Sequence, residues 1–195
     1  MTVATAPIAE PVSLDEAKAQ CAIDSEDFDD QLELLIQAAR EMVEADTDLR
    51  LMPQTIALRL DEFPREIVIP VAPVSAISSI TYIDAAGATQ TLSTSVYRSD
   101  IYSQPARIAL GASQSWPTTD TRPNAVTVTI AAGYANAAAV PAVAKQAILL
   151  LVADWWKNRE TMPMPSGSGA ADVPGNAIKT TYDNLVRRLK LGRYP

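Results

Sequence analysis

The hydrophobic period changes twice along this chain of 195 residues, and these two changes constrain its fold more than any other feature. Before Pro53, apolar residues recur every three to four positions, which is typical of amphipathic helices. From Ile56 onward they alternate with small or polar residues, as on half-buried strands. The helical period returns after Pro141. The order therefore predicts strands inserted between the helices of one bundle.

Two helices are predicted before Pro53. Ser13 and Glu16 have the spacing of a capping box, which indicates a short helix that ends by Ile23. A longer helix is predicted from about Asp27 to Thr47. Its apolar residues share one face, and they are Phe28, Leu32, Leu35, Ile36, Ala39, Met42 and Val43.

The central part of the chain reads as short strands separated by turn residues. Turn chemistry occurs at Asp84–Gly87 and in the proline-rich stretch Trp116–Pro123. Short strands at this spacing favour an antiparallel sandwich or a small barrel. The predicted strands are Ile56–Leu60, Ile67–Ile69, Ile77–Ile83, Thr89–Leu92, Val96–Arg98, Arg107–Leu110 and Ala125–Ala131.

The C-terminal third predicts a bundle helix, a linker and a tail. Pro141 is a good first-turn residue for a helix that continues to about Arg159. Proline, glycine and serine then give a linker composition. An amphipathic helix is predicted over Asn176–Leu189, and Leu189–Tyr194 can extend as a strand.

The predicted fold class is therefore α+β. It comprises a helical bundle, an inserted antiparallel β-sandwich or barrel-like subdomain, and a C-terminal docking tail. The predicted boundaries are 1–52 for the N-terminal bundle helices, 53–135 for the β-rich insertion, 136–162 for the third bundle helix, 163–175 for the linker and 176–195 for the tail.

The residue inventory excludes several kinds of chemical site. The chain has no histidine and a single cysteine, Cys21, so it can form neither a Ser-His-Asp triad nor an intramolecular disulfide. The acidic run Asp24–Asp30 does not fit a calcium loop, because Phe28 and Asp29 stand where a ligand and a glycine are required. The seven glycines form no phosphate-binding loop. These observations predict no metal site, no cofactor site and no histidine-based catalytic site.

Charge is distributed unevenly along the chain, whose net charge is −7. Residues 1–50 carry −10 and residues 176–195 carry +4. An acidic balance disfavours proteins that coat DNA, since those neutralise phosphates with a basic surface. The asymmetry indicates that the two ends face different neighbours, although a solvated acidic helix and a basic last turn give the same pattern. The apolar run Ala142–Trp156 is too short and too polar to span a membrane.

A set of short segments lies along most of the chain in a characteristic order and spacing. They are Ser13–Lys18, Ile23–Asp24, Asp29–Leu32, Ile36–Glu41, Gln54–Thr55, Pro73–Val74, Ile80–Tyr82, Tyr97–Arg98, Pro105–Arg107, Gln114–Pro117, Val126–Tyr134, Pro141–Leu150, Trp155–Trp156 and Asn158–Glu160. In this order and spacing they resemble the head-tail connector, or adaptor, proteins of tailed double-stranded DNA bacteriophages and gene transfer agents.

This resemblance implies a structural protein rather than an enzyme, and therefore no catalytic residue. Family members of this kind form a ring, expected to have twelve subunits, beneath the portal, and they extend the DNA channel towards the tail. The implied partners are the portal protein, a stopper or tail-terminator protein below, other copies of the chain, and passing DNA that is not bound sequence-specifically. The implied location is the virion neck, after assembly in the bacterial host cytoplasm. The alternatives are a neck stopper or tail-completion protein and, more distantly, an adhesive or carbohydrate-binding β-domain.

The basic tail is the predicted contact with the portal, which the resemblance supplies as its partner. A tethered amphipathic segment can lay a helix in a groove or add a strand to a sheet edge. The competing prediction packs the same segment on its own bundle, against Leu151 and Trp155. The predicted portal-binding residues are Tyr182, Leu185, Arg187, Arg188, Lys190, Leu191, Arg193 and Tyr194.

Overall fold

A computed structural model describes residues 1–159 and 174–190. The predicted order of helices, strands and helix is confirmed, and the chain belongs to the α+β class. In chain order the elements are β1 (Thr2–Thr5), α1 (Leu14–Cys21), α2 (Asp29–Thr47), β2 (Gln54–Leu60), β3 (Glu66–Ile69), β4 (Val74–Ile83), β5 (Thr89–Thr91), β6 (Tyr97–Asp100), β7 (Ala106–Leu110), β8 (Val126–Ala132), a 3-10 turn (Ala137–Ala139), α3 (Ala142–Asn158) and α4 (Pro174–Arg187).

The first helix begins with the predicted capping box. The Glu16 amide donates to the Ser13 hydroxyl at 3.1 Å, and the Ser13 amide donates to the Glu16 carboxylate at 2.8 Å. Helix α1 is followed by Ala22 in a left-handed conformation. Helices α1 to α4 then share one hydrophobic cluster, whose fully buried members include Leu32, Ile36 and Ile148.

The strands form two antiparallel sheets. The larger has the order β1-β2-β8-β4-β5, and the smaller has the order β3-β7-β6. Alternate residues of both sheets meet in a second hydrophobic cluster, with Ile56, Ile67 and Ile108 buried at its centre. The expectation of a barrel is wrong for the described residues, because β1 and β5 remain edge strands of an open sheet.

Strand β1 is absent from the sequence prediction. It pairs antiparallel with β2, so that Val3 lies opposite Ile56. All four of its residues are exposed, which leaves no alternation of buried and exposed positions for a sequence pattern to show. The strand therefore owes its conformation to backbone pairing with β2.

Gly133 allows a close crossing of backbone where the sheet meets the bundle. It has a φ of +110°, and its amide donates to the Pro73 carbonyl at 2.9 Å. A Cβ atom at this position would lie 2.1 Å from the carbonyl oxygen of Met52. Only glycine satisfies both the dihedral angle and the approach of the two backbones.

Candidate interaction surfaces

The C-terminal helix α4 packs on the bundle of its own chain. Tyr182 and Val186 are buried in the helical cluster, where Tyr182 is only 5% exposed. The Tyr182 hydroxyl donates to the Asp46 carboxylate at 2.7 Å. Burial raises the pKa of Tyr182 far above its usual range, and the hydrogen bond and the Asp46 charge act in the same direction. The buried face of α4 is therefore occupied within the chain.

The eight predicted portal-binding residues fall into three groups. Tyr182 is buried, and Leu185 is half-buried against the same helical cluster. Arg187, Arg188 and Lys190 are exposed. The last group, Leu191, Arg193 and Tyr194, lies outside the described residues, as do most of the predicted linker and most of the predicted terminal strand.

The outward side of α2 is acidic and partly apolar. Asp30 and Glu33 are exposed and have no hydrogen-bond or ion-pair partner among the described residues. Leu34 is 64% exposed and Met42 is 41% exposed. Sequence periodicity predicted Met42 on the apolar stripe of the helix, whereas the structure leaves it at the edge of that stripe. Leu34 and Met42 are thus two separate exposed apolar residues, eight positions apart, of a kind that is common on protein surfaces.

A buried group of charges lies where α2 packs against the N-terminal segment and the start of β2. The Glu44 carboxylate accepts from the Leu51 amide at 2.7 Å and from the Gln54 side chain at 3.1 Å. It also accepts from the Arg40 guanidinium at 3.3 Å, and that guanidinium donates to Glu10 at 2.7 Å. These bonds join the N-terminal segment, α2 and the start of β2. Sequence analysis missed this network, because an Arg and a Glu four residues apart look like an ordinary surface pair.

The far end of the β region carries an ordered irregular loop. This end lies at the strand ends remote from the helices. Phe63 and Trp116 stack with ring centroids 4.8 Å apart and an interplanar angle of 6°, and Tyr82 meets Phe63 edge to face. The Asn124 amide donates to the Asp61 carboxylate at 2.8 Å. Stacking and backbone bonds thus fix a connection that has no regular secondary structure of its own.

The described residues contain no group of three or more His, Cys, Asp or Glu side chains suited to a metal ion. In the acidic run, Asp27 accepts from the Ser25 hydroxyl, and Asp29 pairs with Lys18 at 2.5 Å. Both carboxylates are therefore engaged by neighbouring side chains at the N-terminus of α2. Negative charge at this position is stabilised by the helix dipole. None of the described helices is both long and apolar enough to cross a membrane.

The family model of the phage gp6-like head-tail connector proteins matches residues 11–106. This match confirms the resemblance that the sequence motifs predicted. The comparison with curated proteins gives no match.

Three solved structures share the fold of the whole chain. One is a chain from the virion of a native gene transfer agent particle, with 20% identity and a TM-score of 0.74 over 100% of this chain and 96% of that chain. A second is from the neck of an empty particle computed with C6 symmetry, with 22% identity and a TM-score of 0.70. A third is from the neck of a native particle computed with C12 symmetry, with 24% identity and a TM-score of 0.65. The second and third alignments each cover 100% of this chain and 98% of the other.

Proposed function

Because residues 11–106 carry the head-tail connector domain of the phage gp6-like family, we propose that the protein is a neck adaptor of a phage or gene transfer agent particle. In this role it forms a ring beneath the portal, joins the capsid to the tail and extends the DNA channel. The observation that carries the proposal is the family match. Its support is a fold shared over the full chain with components of gene transfer agent virions and necks.

Ring formation is part of the same proposal. Two of the structurally similar chains come from necks computed with sixfold and twelvefold symmetry. A closed ring requires each subunit to offer two different surfaces, one to each neighbour. We propose a ring of twelve copies.

The portal contact is assigned to the end of the chain beyond α4. Tyr182 and Leu185 hold the helix on its own bundle, so they are not free to enter a partner while α4 stays docked. Arg187 is the last residue of that docked helix, and Arg188 follows it in a turn. Lys190, Leu191, Arg193 and Tyr194 follow it, and their alternating basic and apolar character suits an acidic edge or groove on the portal. Many such tails on one ring give high avidity from weak single contacts.

Two truncations test this assignment. Ending the chain after Leu189 removes the proposed contact but keeps the buried residues of α4, so portal binding should fall with no change in melting temperature. Ending it after Gly175 also removes Tyr182 and Val186 from the core and should lower the melting temperature. Portal binding that survives the shorter deletion contradicts the assignment of the chain end.

A further inference from the structure

The connection between β6 and β7 presents one aromatic side chain to solvent on a fixed loop. Tyr102 is 94% exposed, more than any other aromatic residue in the described part of the chain. The Asp100 carboxylate accepts from the amides of Tyr102 and Ser103, both at 3.1 Å, and from the Ser103 hydroxyl. Because these bonds already order the loop, a partner that covers the tyrosine loses less conformational entropy. A rigid, exposed tyrosine is typical of an interface anchor.

An uncharged groove lies between the segment that follows β1 and the adjoining ends of β2 and β8. We define the Ile8 groove by residues on its walls, which are Ile8, Pro53, Thr55, Ala131, Gly133 and Ala135. None of its lining side chains is charged, and its volume is about 420 Å³. Pockets of this size accept small aromatic ligands, so one tyrosine ring can enter. Ile8 lines the groove and is fully exposed within its own chain.

The tyrosine and the groove lie at the same end of the β region. The Tyr102 loop leads into Ala106, which pairs with Ile69, the last residue of β3. Three residues after Ile69 the chain forms a bridge to Leu49, just beyond the end of α2. The groove contains Gly133, where the sheet meets the bundle. Both features are therefore at the level of the junction between the sheets and the helices.

The two features lie on opposite sides of the β region. The groove is next to β1, which is one edge strand of the larger sheet. At the other edge, beside β5, the Leu92 amide donates to the Ile80 carbonyl at 2.8 Å. Strand β6 begins directly after the turn that the Val96 amide closes on the Ser93 carbonyl. The loop that carries Tyr102 is thus remote from the groove of its own chain and can meet the groove of a neighbour.

We propose that Tyr102 of one copy inserts into the Ile8 groove of the next copy in the ring. The proposal rests on the proposed function, which requires contact between copies. The contact removes from water Ile8 and Tyr102, the two most exposed large apolar side chains of the described residues. An uncharged lining also avoids the cost of burying an unpaired charge. Because the two surfaces differ, the contact is head to tail, the type that closes rings.

Substitutions on each side test the contact. Tyr102→Ala should weaken self-association at least tenfold, whereas Tyr102→Phe should keep most of it, because the ring fills the groove. Ala135→Arg places a charge in the groove and should weaken self-association as strongly. Met42→Ala shortens an exposed residue of α2 that belongs to neither surface, so it is the control. Sedimentation velocity with and without the portal measures association, and melting temperatures should stay unchanged because Tyr102 and Ala135 are exposed.

A cysteine pair tests which surfaces meet. In a Cys21→Ala background, one chain carries both Tyr102→Cys and Ala135→Cys. The control chain carries Tyr102→Cys and Glu62→Cys, the latter at the far end of the β region. Oxidation in the presence of the portal should give a ladder of covalent oligomers from the first pair and none from the control. A mixture of chains that each carry one cysteine of the first pair should stop at dimers.

A ladder from the first pair, with weaker association of Tyr102→Ala, supports the contact. Rings on the portal that withstand both Tyr102→Ala and Ala135→Arg overturn the contact and leave the adaptor function standing. Loss of rings in Ala135→Arg alone assigns the groove to the chain end or to the portal and also overturns the contact. Loss in Tyr102→Ala without a ladder overturns the groove as the site that receives the tyrosine. A wild type that binds no portal and forms no ring overturns both the contact and the function.

Discussion

The Tyr182 hydroxyl donates to the Asp46 carboxylate at 2.7 Å, joining two helices through residues that are 136 positions apart in the sequence. This bond fixes the C-terminal helix against the N-terminal half of the bundle, together with the buried Val186. The amphipathic helix predicted from the sequence thus uses its apolar side within the chain. Only its charged side and the residues that follow it are left for partners.

Replacing Tyr182 by Phe should destabilise the protein by about 1 kcal/mol, because the ring stays buried while the hydrogen bond is lost. The pH dependence should also change. The folded-state pKa of Tyr182 is raised, so its contribution to stability is fully present below about pH 10, the unfolded value, and is lost as the pH rises further. Urea unfolding at pH 8 and pH 10.5 should therefore show a steeper loss for wild type than for Tyr182→Phe. Equal losses in both proteins would contradict the role of this bond.

Gly133→Ala should destabilise the protein by about 2–4 kcal/mol, since the new Cβ would clash with the Met52 carbonyl and force strain in the backbone. Gly87→Ala is the matched control. Gly87 also has a positive φ, +83°, but nothing lies within 4 Å of an added Cβ. Its cost should be about 1 kcal/mol, the strain of the dihedral angle alone. Similar unfolding free energies for the two variants would exclude a steric requirement for glycine at position 133, where the sheet meets the bundle.

Glu44→Ala should cost about 3–5 kcal/mol, because it leaves the Leu51 amide and the Gln54 side chain unpaired and removes one partner of the buried Arg40. Glu41→Ala provides the comparison, since Glu41 is exposed and lies 3.6 Å from the same guanidinium. Its cost should be below about 0.5 kcal/mol. Chemical denaturation of the two variants measures the difference in unfolding free energy. A loss for Glu44→Ala as small as that for Glu41→Ala would show that the buried network does not stabilise the packing of the N-terminal segment, α2 and β2.

The protein should bind double-stranded DNA weakly even at low salt. Its net charge is −7, and the acidic first fifty residues would repel a passing duplex. This property suits a channel through which DNA must move. A mobility-shift titration checks it, and salt-sensitive binding at micromolar protein would show that a basic surface engages phosphates.

Local patterns were sufficient to predict most of the helices and strands. The capping residues Ser13 and Glu16 lie where the spacing placed them, and the alternation from Ile56 to Leu60 lies within β2. Such features depend on neighbouring residues and on burial of one face, which a sequence records directly. Strand β1 was not predicted, because all four of its residues are exposed and show no alternation of buried and exposed positions.

Contacts between distant segments were not predictable in the same way. The bond from Tyr182 to Asp46 depends on how α4 crosses the bundle, and the surroundings of Gly133 depend on two backbones meeting. A tyrosine on an amphipathic helix has the same pattern whether it packs on its own chain or on a partner. The sequence therefore suggested the tail as a functional element but left its buried face unassigned.

The adaptor function is tested most directly by the mass of the complex formed with the portal ring of the same particle. Mass photometry of portal alone and of portal with excess protein gives the mass added per portal. The account predicts an addition of twelve copies of the 20.9 kDa chain, bound as one closed layer. A portal whose mass does not change at saturating protein, or that takes up only one or two copies, would contradict it.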